Sequence, residues 1–108
     1  MDYFPVGLKL SGEPVLIVGG GVVATRKARL LARAGADLWV MAPAVSDELA
    51  SLASASDRVL LHEWDERSLG GFAAVVAATP NRTVNEAISR RARPISALYY
   101  RAHQGPSA

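Results

Sequence analysis

Val15-Leu16-Ile17-Val18-Gly19-Gly20-Gly21-Val22-Val23-Ala24-Thr25-Arg26-Lys27-Ala28-Arg29-Leu30-Leu31 decides the fold. An apolar, β-branched run meets three glycines and passes directly into a helical period. That order is the dinucleotide-binding pattern in its G-x-G-x-x-A form, with Gly19, Gly21 and Ala24 at the small positions. Gly19 permits the tight turn out of the strand. Gly21 lets backbone approach a pyrophosphate with no Cβ in the way, and Ala24 lets the helix lie close to the sheet. The helix start then offers free N–H groups and the positive end of its dipole to the phosphates. A tight strand–helix turn that binds nothing is the competing reading. Strand, glycines, helix and second strand in the right order favour binding.

Outward from this motif, strands and helices alternate. Phe4 to Leu10 reads as a short strand closed by the turn Ser11-Gly12-Glu13-Pro14. Val15 to Val18 is apolar on both faces, as buried parallel strands are. The first helix is expected over Val22 to Ala34, with Val23, Leu30, Leu31 and Ala34 inward and Arg26, Lys27, Arg29 and Arg33 outward. Gly35 is its stop. Leu38 to Met41 is the second strand. Ser46 then caps a helix to about Ala53, with Asp47 and Glu48 in the turn where the dipole favours acids. Val59 to Trp64 reads as a third strand and Ala73 to Ala78 as a fourth. Thr79-Pro80-Asn81 turns into a helix from about Thr83 to Arg93, which Pro94 ends. Ile95 to Tyr100 is a fifth strand. The expectation is an α/β, Rossmann-like three-layer domain with a mostly parallel sheet of about five strands. Residues 1–94 form the domain proper, and 95–108 are a divergent strand and tail.

Composition narrows the function classes. A chain of 108 residues is one small domain, and its 50% hydrophobic and 20% charged content is that of a globular protein. The net charge of +2, with no basic stripe interleaved with aromatics, gives no nucleic-acid signature. Without cysteine there are no disulfides, thiolate sites or cysteine nucleophiles. With only His62 and His103 as imidazoles, no metal site is expected. The start Met1-Asp2-Tyr3 has no basic, then apolar, leader, and Phe72 to Ala78 falls well short of the roughly 20 residues that span a bilayer. A cytoplasmic protein without membrane contact is expected.

The second strand raises a difficulty. A typical NAD site has an Asp or Glu there to bind the ribose hydroxyls, about 20 residues past the glycines. This chain reads Val40-Met41-Ala42-Pro43-Ala44, with neither a carboxylate nor an Arg for a 2′-phosphate. Backbone groups or Ser46 must then meet the ribose, which blurs NAD against NADP. Ala77-Ala78-Thr79 supplies the second wall of the crevice at the carboxyl edge of the sheet. Asn85, in the following helix, is as readily structural as functional.

Residues 1 to about 92 closely resemble the N-terminal domain of siroheme synthase, the precorrin-2 dehydrogenase and sirohydrochlorin ferrochelatase module. The resemblance rests on Gly19-Gly20-Gly21-Val22-Val23-Ala24-Thr25-Arg26-Lys27, Ala34-Gly35-Ala36, Val40-Met41-Ala42-Pro43 and Ala77-Ala78-Thr79-Pro80-Asn81-Arg82-Thr83-Val84-Asn85. The family is similar in lacking the ribose carboxylate. The resemblance implies that NAD is held through the pair after the glycines, Val22-Val23, and the pair after the second strand, Pro43-Ala44. A polar residue is common in the family where Val22 stands. With the motif itself, the expected cofactor-binding set is Gly19, Gly20, Gly21, Val22, Val23, Ala24, Pro43, Ala44 and Thr79. The implied chemistry is hydride transfer from precorrin-2 to NAD+, giving sirohydrochlorin, followed by iron insertion.

The resemblance ends after Ala92. Where the family has a strand ending Asn-Val-Val-Asp, whose Asp is the expected base and chelatase residue, this chain reads Arg93-Pro94-Ile95-Ser96-Ala97-Leu98-Tyr99-Tyr100-Arg101. His103 falls near that place and is assigned no role, so no catalytic residue is named. Arg90, Arg91, Arg93 and Arg101 read as a solvated basic end. The expectation is a truncated or frame-shifted product, without the family's homodimerisation and tetrapyrrole-binding region and with little activity alone. The alternative is a dinucleotide-binding module or fragment without catalysis.

Overall fold

The computed structural model describes residues 3–4, 8–65, 67–92 and 99–101, with side-chain surroundings for residues 10–65 and 67–91. Two short strands, β1 (Tyr3–Phe4) and β2 (Leu8–Lys9), pair antiparallel with Tyr3 opposite Lys9. The single strand expected over Phe4 to Leu10 is thus a hairpin. Residues 5–7 of that expected strand lie outside the described residues.

The central strand β3 (Pro14–Val18) is buried on both faces, with Val15, Leu16 and Ile17 wholly out of solvent. It is followed by α1 (Val22–Arg33), β4 (Asp37–Met41), α2 (Asp47–Leu52) and β5 (Val59–Leu60). A 3-10 turn at Arg67–Leu69 leads to β6 (Ala74–Ala77), then α3 (Arg82–Ala92) and β7 (Tyr99–Arg101). Among the described residues, five parallel strands form one sheet in the order β5-β4-β3-β6-β7. The order reverses between β4 and β6 across β3, which is the switch point where open α/β sheets bind ligands.

The two-residue period of the strands sorts their side chains into two cores. Val15, Ile17, Leu38, Val40 and Val76 face α1 and α2, against Ala24, Ala28, Leu31 and Leu49. Leu16, Val18, Met41, Val75 and Ala77 face the opposite way, against Leu69 and Ile88. Ala24 is fully buried, so the small residue of the motif does sit where the helix meets the sheet.

Gly35 ends α1 as expected. At φ +80° its N–H donates to Ala32 O (3.0 Å), and Ala36 N–H donates to Leu31 O (3.2 Å). That is the Schellman arrangement. Val23 departs from expectation, being 39% exposed, while Thr25 is buried. Val22 beside it is exposed as well, so solvent reaches the first turn of α1 at the glycine loop.

The third strand is also shorter than expected, Val59–Leu60 instead of Val59 to Trp64. Its partner β4 stops at Met41, opposite Leu60, and Pro43 has no N–H to extend the ladder. Further back, Ser54 stands in for the missing pairing: its hydroxyl accepts from Leu38 N–H at 2.7 Å. β7 includes Arg101, one residue past the expected strand. Residues 95–98 of that strand, the Pro94 stop, His103 and the tail lie outside the described residues.

Candidate functional site

β3 and its two neighbours end level, Val18 opposite both Met41 and Ala77, so three strand exits converge. Gly19 N–H donates to Met41 O (3.0 Å), and Ala78 N–H donates to Val18 O (2.9 Å). The three glycines that follow are glycines for three different reasons. Gly19 has φ +143°, and a Cβ there would stand 2.4 Å from Ala78 O. Gly20 is pressed against the exit of β4: a Cβ would stand 1.8 Å from Ala44 O, and Gly20 O accepts from Ser46 N–H at 3.2 Å. Gly21 meets nothing within 4 Å of where its Cβ would be. The fold itself therefore has room for a side chain at Gly21, and the space beside it stays free.

Gly21 is also the N-cap of α1, with no side-chain cap. Thr25 holds this end in place, its N–H (2.9 Å) and its hydroxyl (2.8 Å) both donating to Gly21 O. The first N–H groups of a helix have no intrahelical acceptor. At α2 the Ser46 hydroxyl accepts from Leu49 N–H (3.1 Å), and at the start of α3 Asn81 Oδ1 accepts from Val84 N–H (3.0 Å). The end of α1 is left open.

The facing wall is rigid. Asn85, buried in α3, receives Thr79 N–H on Oδ1 (3.0 Å) and donates from Nδ2 to Thr79 O (2.9 Å). The Thr79 hydroxyl donates to the same Oδ1 (2.6 Å) and accepts from Asn81 N–H (3.2 Å). Asn85 is therefore a clamp on the β6 exit, and Thr79 has little hydrogen-bonding capacity left over.

Between these walls lies a cavity of about 480 Å³. Gly19, Gly20, Gly21, Pro43, Ala44 and Thr79, six of the residues expected in the site, line it together. Glu63 and Trp64 also line it, and the sequence reading missed both. Extending β5 to Trp64 hid them; the signal was Pro43, which ends the partner strand. A second cavity of about 330 Å³ lies on the other side of Gly21, with Val22, Arg26 and Ser46 in its wall. Val23 and Ala24 line neither cavity. Arg29 is paired with Glu48 across α1 and α2. Burial first, and the neighbouring Arg26 second, hold Lys27 below the ordinary lysine range.

This arrangement suits a phosphate-bearing ligand: an uncapped helix start, a glycine without a Cβ facing open space, and a crevice at the switch point. Residues 6–107 match a family model described as putative NAD(P)-binding. The chain belongs to that NAD(P)-binding family. Its N-terminal domain resemblance to the siroheme synthases holds as well. It is 48% identical over 90 residues to the siroheme synthase of Saccharophagus degradans, covering 82% of this chain and 20% of that protein. To siroheme synthase 3 of Aeromonas hydrophila it is 50% identical over 93 residues, covering 85% and 20%. The chain thus spans about a fifth of these relatives. Among solved structures, the precorrin-2 dehydrogenase SirC aligns with TM-score 0.65 and 32% identity, over 81% of this chain and 44% of that one. A UDP-glucose dehydrogenase from Pyrobaculum islandicum aligns with TM-score 0.52 at 19% identity and shares the fold. Among the described residues, no helix is long and apolar enough to cross a membrane.

Proposed function

We propose that this chain is the NAD-binding module of a precorrin-2 dehydrogenase. The observation that carries the binding step is Gly21, which has open space where its Cβ would be; among the described residues it begins the one α-helix of three whose start no side chain caps. The N–H groups of Val22, Val23 and Ala24 would take the pyrophosphate. Pro43 and Ala44 would flank the adenosine, and Thr79, fixed by Asn85, would form the wall on the nicotinamide side. When bound, the nicotinamide supplies a hydride acceptor. Likeness to the siroheme synthases and to SirC supports precorrin-2 as the donor.

Oxidising precorrin-2 to sirohydrochlorin sends a hydride to NAD+ and a proton to a base. Among the residues lining the larger cavity, Glu63 is the single titratable one. We therefore propose that the chain alone holds NAD and leaves the proton step to residues outside this crevice. Titration calorimetry with NAD+ tests the first part: saturable binding is expected, and no heat at millimolar NAD+ removes it. Mixing the chain with precorrin-2 and NAD+ tests the second. Little NADH absorbance is expected; turnover comparable to that of a whole siroheme synthase would show that the crevice is complete.

A further inference from the structure

The end of β4, Ala42-Pro43-Ala44, offers no carboxylate to a ribose, yet the structure brings one to that place from the neighbouring strand. β5 stops at Leu60, whose carbonyl accepts from both Ala42 N–H (3.1 Å) and His62 N–H (3.0 Å). The turn carries Glu63 into the wall of the larger cavity, which Pro43 and Ala44 also line. Glu63 is exposed, and among the described residues its carboxylate has no ion pair or hydrogen bond.

We propose that Glu63 binds the vicinal hydroxyls of the adenosine ribose, in place of the acid usually found at the second strand, and sets a preference for NAD over NADP. The proposal rests on the NAD reading above. A carboxylate has acceptor sites for two O–H donors at once, and such charge-assisted bonds are stronger than neutral ones. A 2′-phosphate in the same place would set like charges together, which is discrimination by repulsion. The cations near the glycines do not relieve it. Arg26 and Arg29 line the smaller cavity on the other side of Gly21, and Arg29 is already paired with Glu48.

Calorimetric titration of the whole chain and of Glu63→Gln with NAD+, NADP+, ADP and 2′-deoxy-ADP tests this, with circular dichroism confirming that the surface variant is folded. The unaltered chain is expected to bind NAD+ about tenfold or more tighter than NADP+. Glu63→Gln should weaken NAD+ and ADP by about tenfold, leave 2′-deoxy-ADP nearly unchanged, and narrow the NAD+ to NADP+ ratio. If NAD+ binds but the ratio and the ADP to 2′-deoxy-ADP difference survive the substitution, Glu63 has no such role and the NAD reading stands. NADP+ binding the unaltered chain as tightly as NAD+ overturns the preference in the same way. Failure of all four ligands to bind the unaltered chain overturns both readings.

Discussion

The two helix starts that face each other across the crevice are built on opposite plans. Both follow strands that pair side by side, β3 into α1 and β6 into α3. At α3 the polar groups are spent internally: Asn85 clamps Thr79, Thr79 binds Asn81, and Asn81 caps Val84. At α1 the turn is all glycine, no side chain caps it, and Gly21 opens onto free space. One end is finished and serves as a wall. The other is unfinished and stays so because a small domain tolerates a few uncapped donors in water, while a ligand gains from finding them preorganised.

That difference breaks first at Gly20. A Cβ there would overlap the Ala44 carbonyl, and since a Cβ is fixed by its own backbone and the carbonyl is backbone too, no rotamer change relieves it. Gly20→Ala is expected to cost about 3 kcal/mol or more, as severe overpacking does. In a domain of this size that lowers the melting temperature by more than about 12 °C. An unchanged melting curve would mean that the β4 exit is free to move away from the glycines. One residue on, Gly21→Val should do the reverse. With φ −108° and open space around it, valine fits. The melting temperature should fall by the equivalent of no more than about 1 kcal/mol, the scale of a poorer cap. NAD+ affinity should drop by more than about tenfold, because the branched side chain stands where phosphate would approach. Equal NAD+ affinity would make Gly21 only a turn.

Most of this was legible in the residues. The strand–glycine–helix order placed β3 and α1, Gly35 placed the Schellman stop, and Ser46 placed the start of α2, because each rests on local chemistry. What escaped the reading depends on neighbours distant in the chain. Gly20 occupies a free position in the motif, and its need for hydrogen in place of a side chain comes from Ala44 on another strand. Glu63 reached the crevice because β5 stops where β4 runs out of partners, which the β-branched and aromatic residues from Val59 to Trp64 conceal. Asn85 reads equally as structure or function in the sequence; its three bonds to Thr79, six residues back, make it structural.

The finished end gives smaller effects. Asn85→Ala removes all three bonds to Thr79 from a buried position and leaves the Thr79 N–H without its acceptor. A loss of about 2–3 kcal/mol is expected by chemical denaturation. NAD+ affinity should fall less than in Gly21→Val, since Thr79 forms a wall and does not supply the phosphate contacts.

Ser46→Ala is the mildest test. The hydroxyl caps α2 through Leu49 N–H and stands 3.4 Å from the Thr25 hydroxyl beneath the open end of α1. Losing the cap should cost about 1 kcal/mol. Thr25 keeps its own bond to Gly21 O, so the glycine turn should hold and NAD+ binding should change less than about threefold. A larger loss of affinity, at that small cost in stability, would show that the Ser46 hydroxyl itself reaches the ligand. The open end of α1 would then share its work with a side chain from the neighbouring helix.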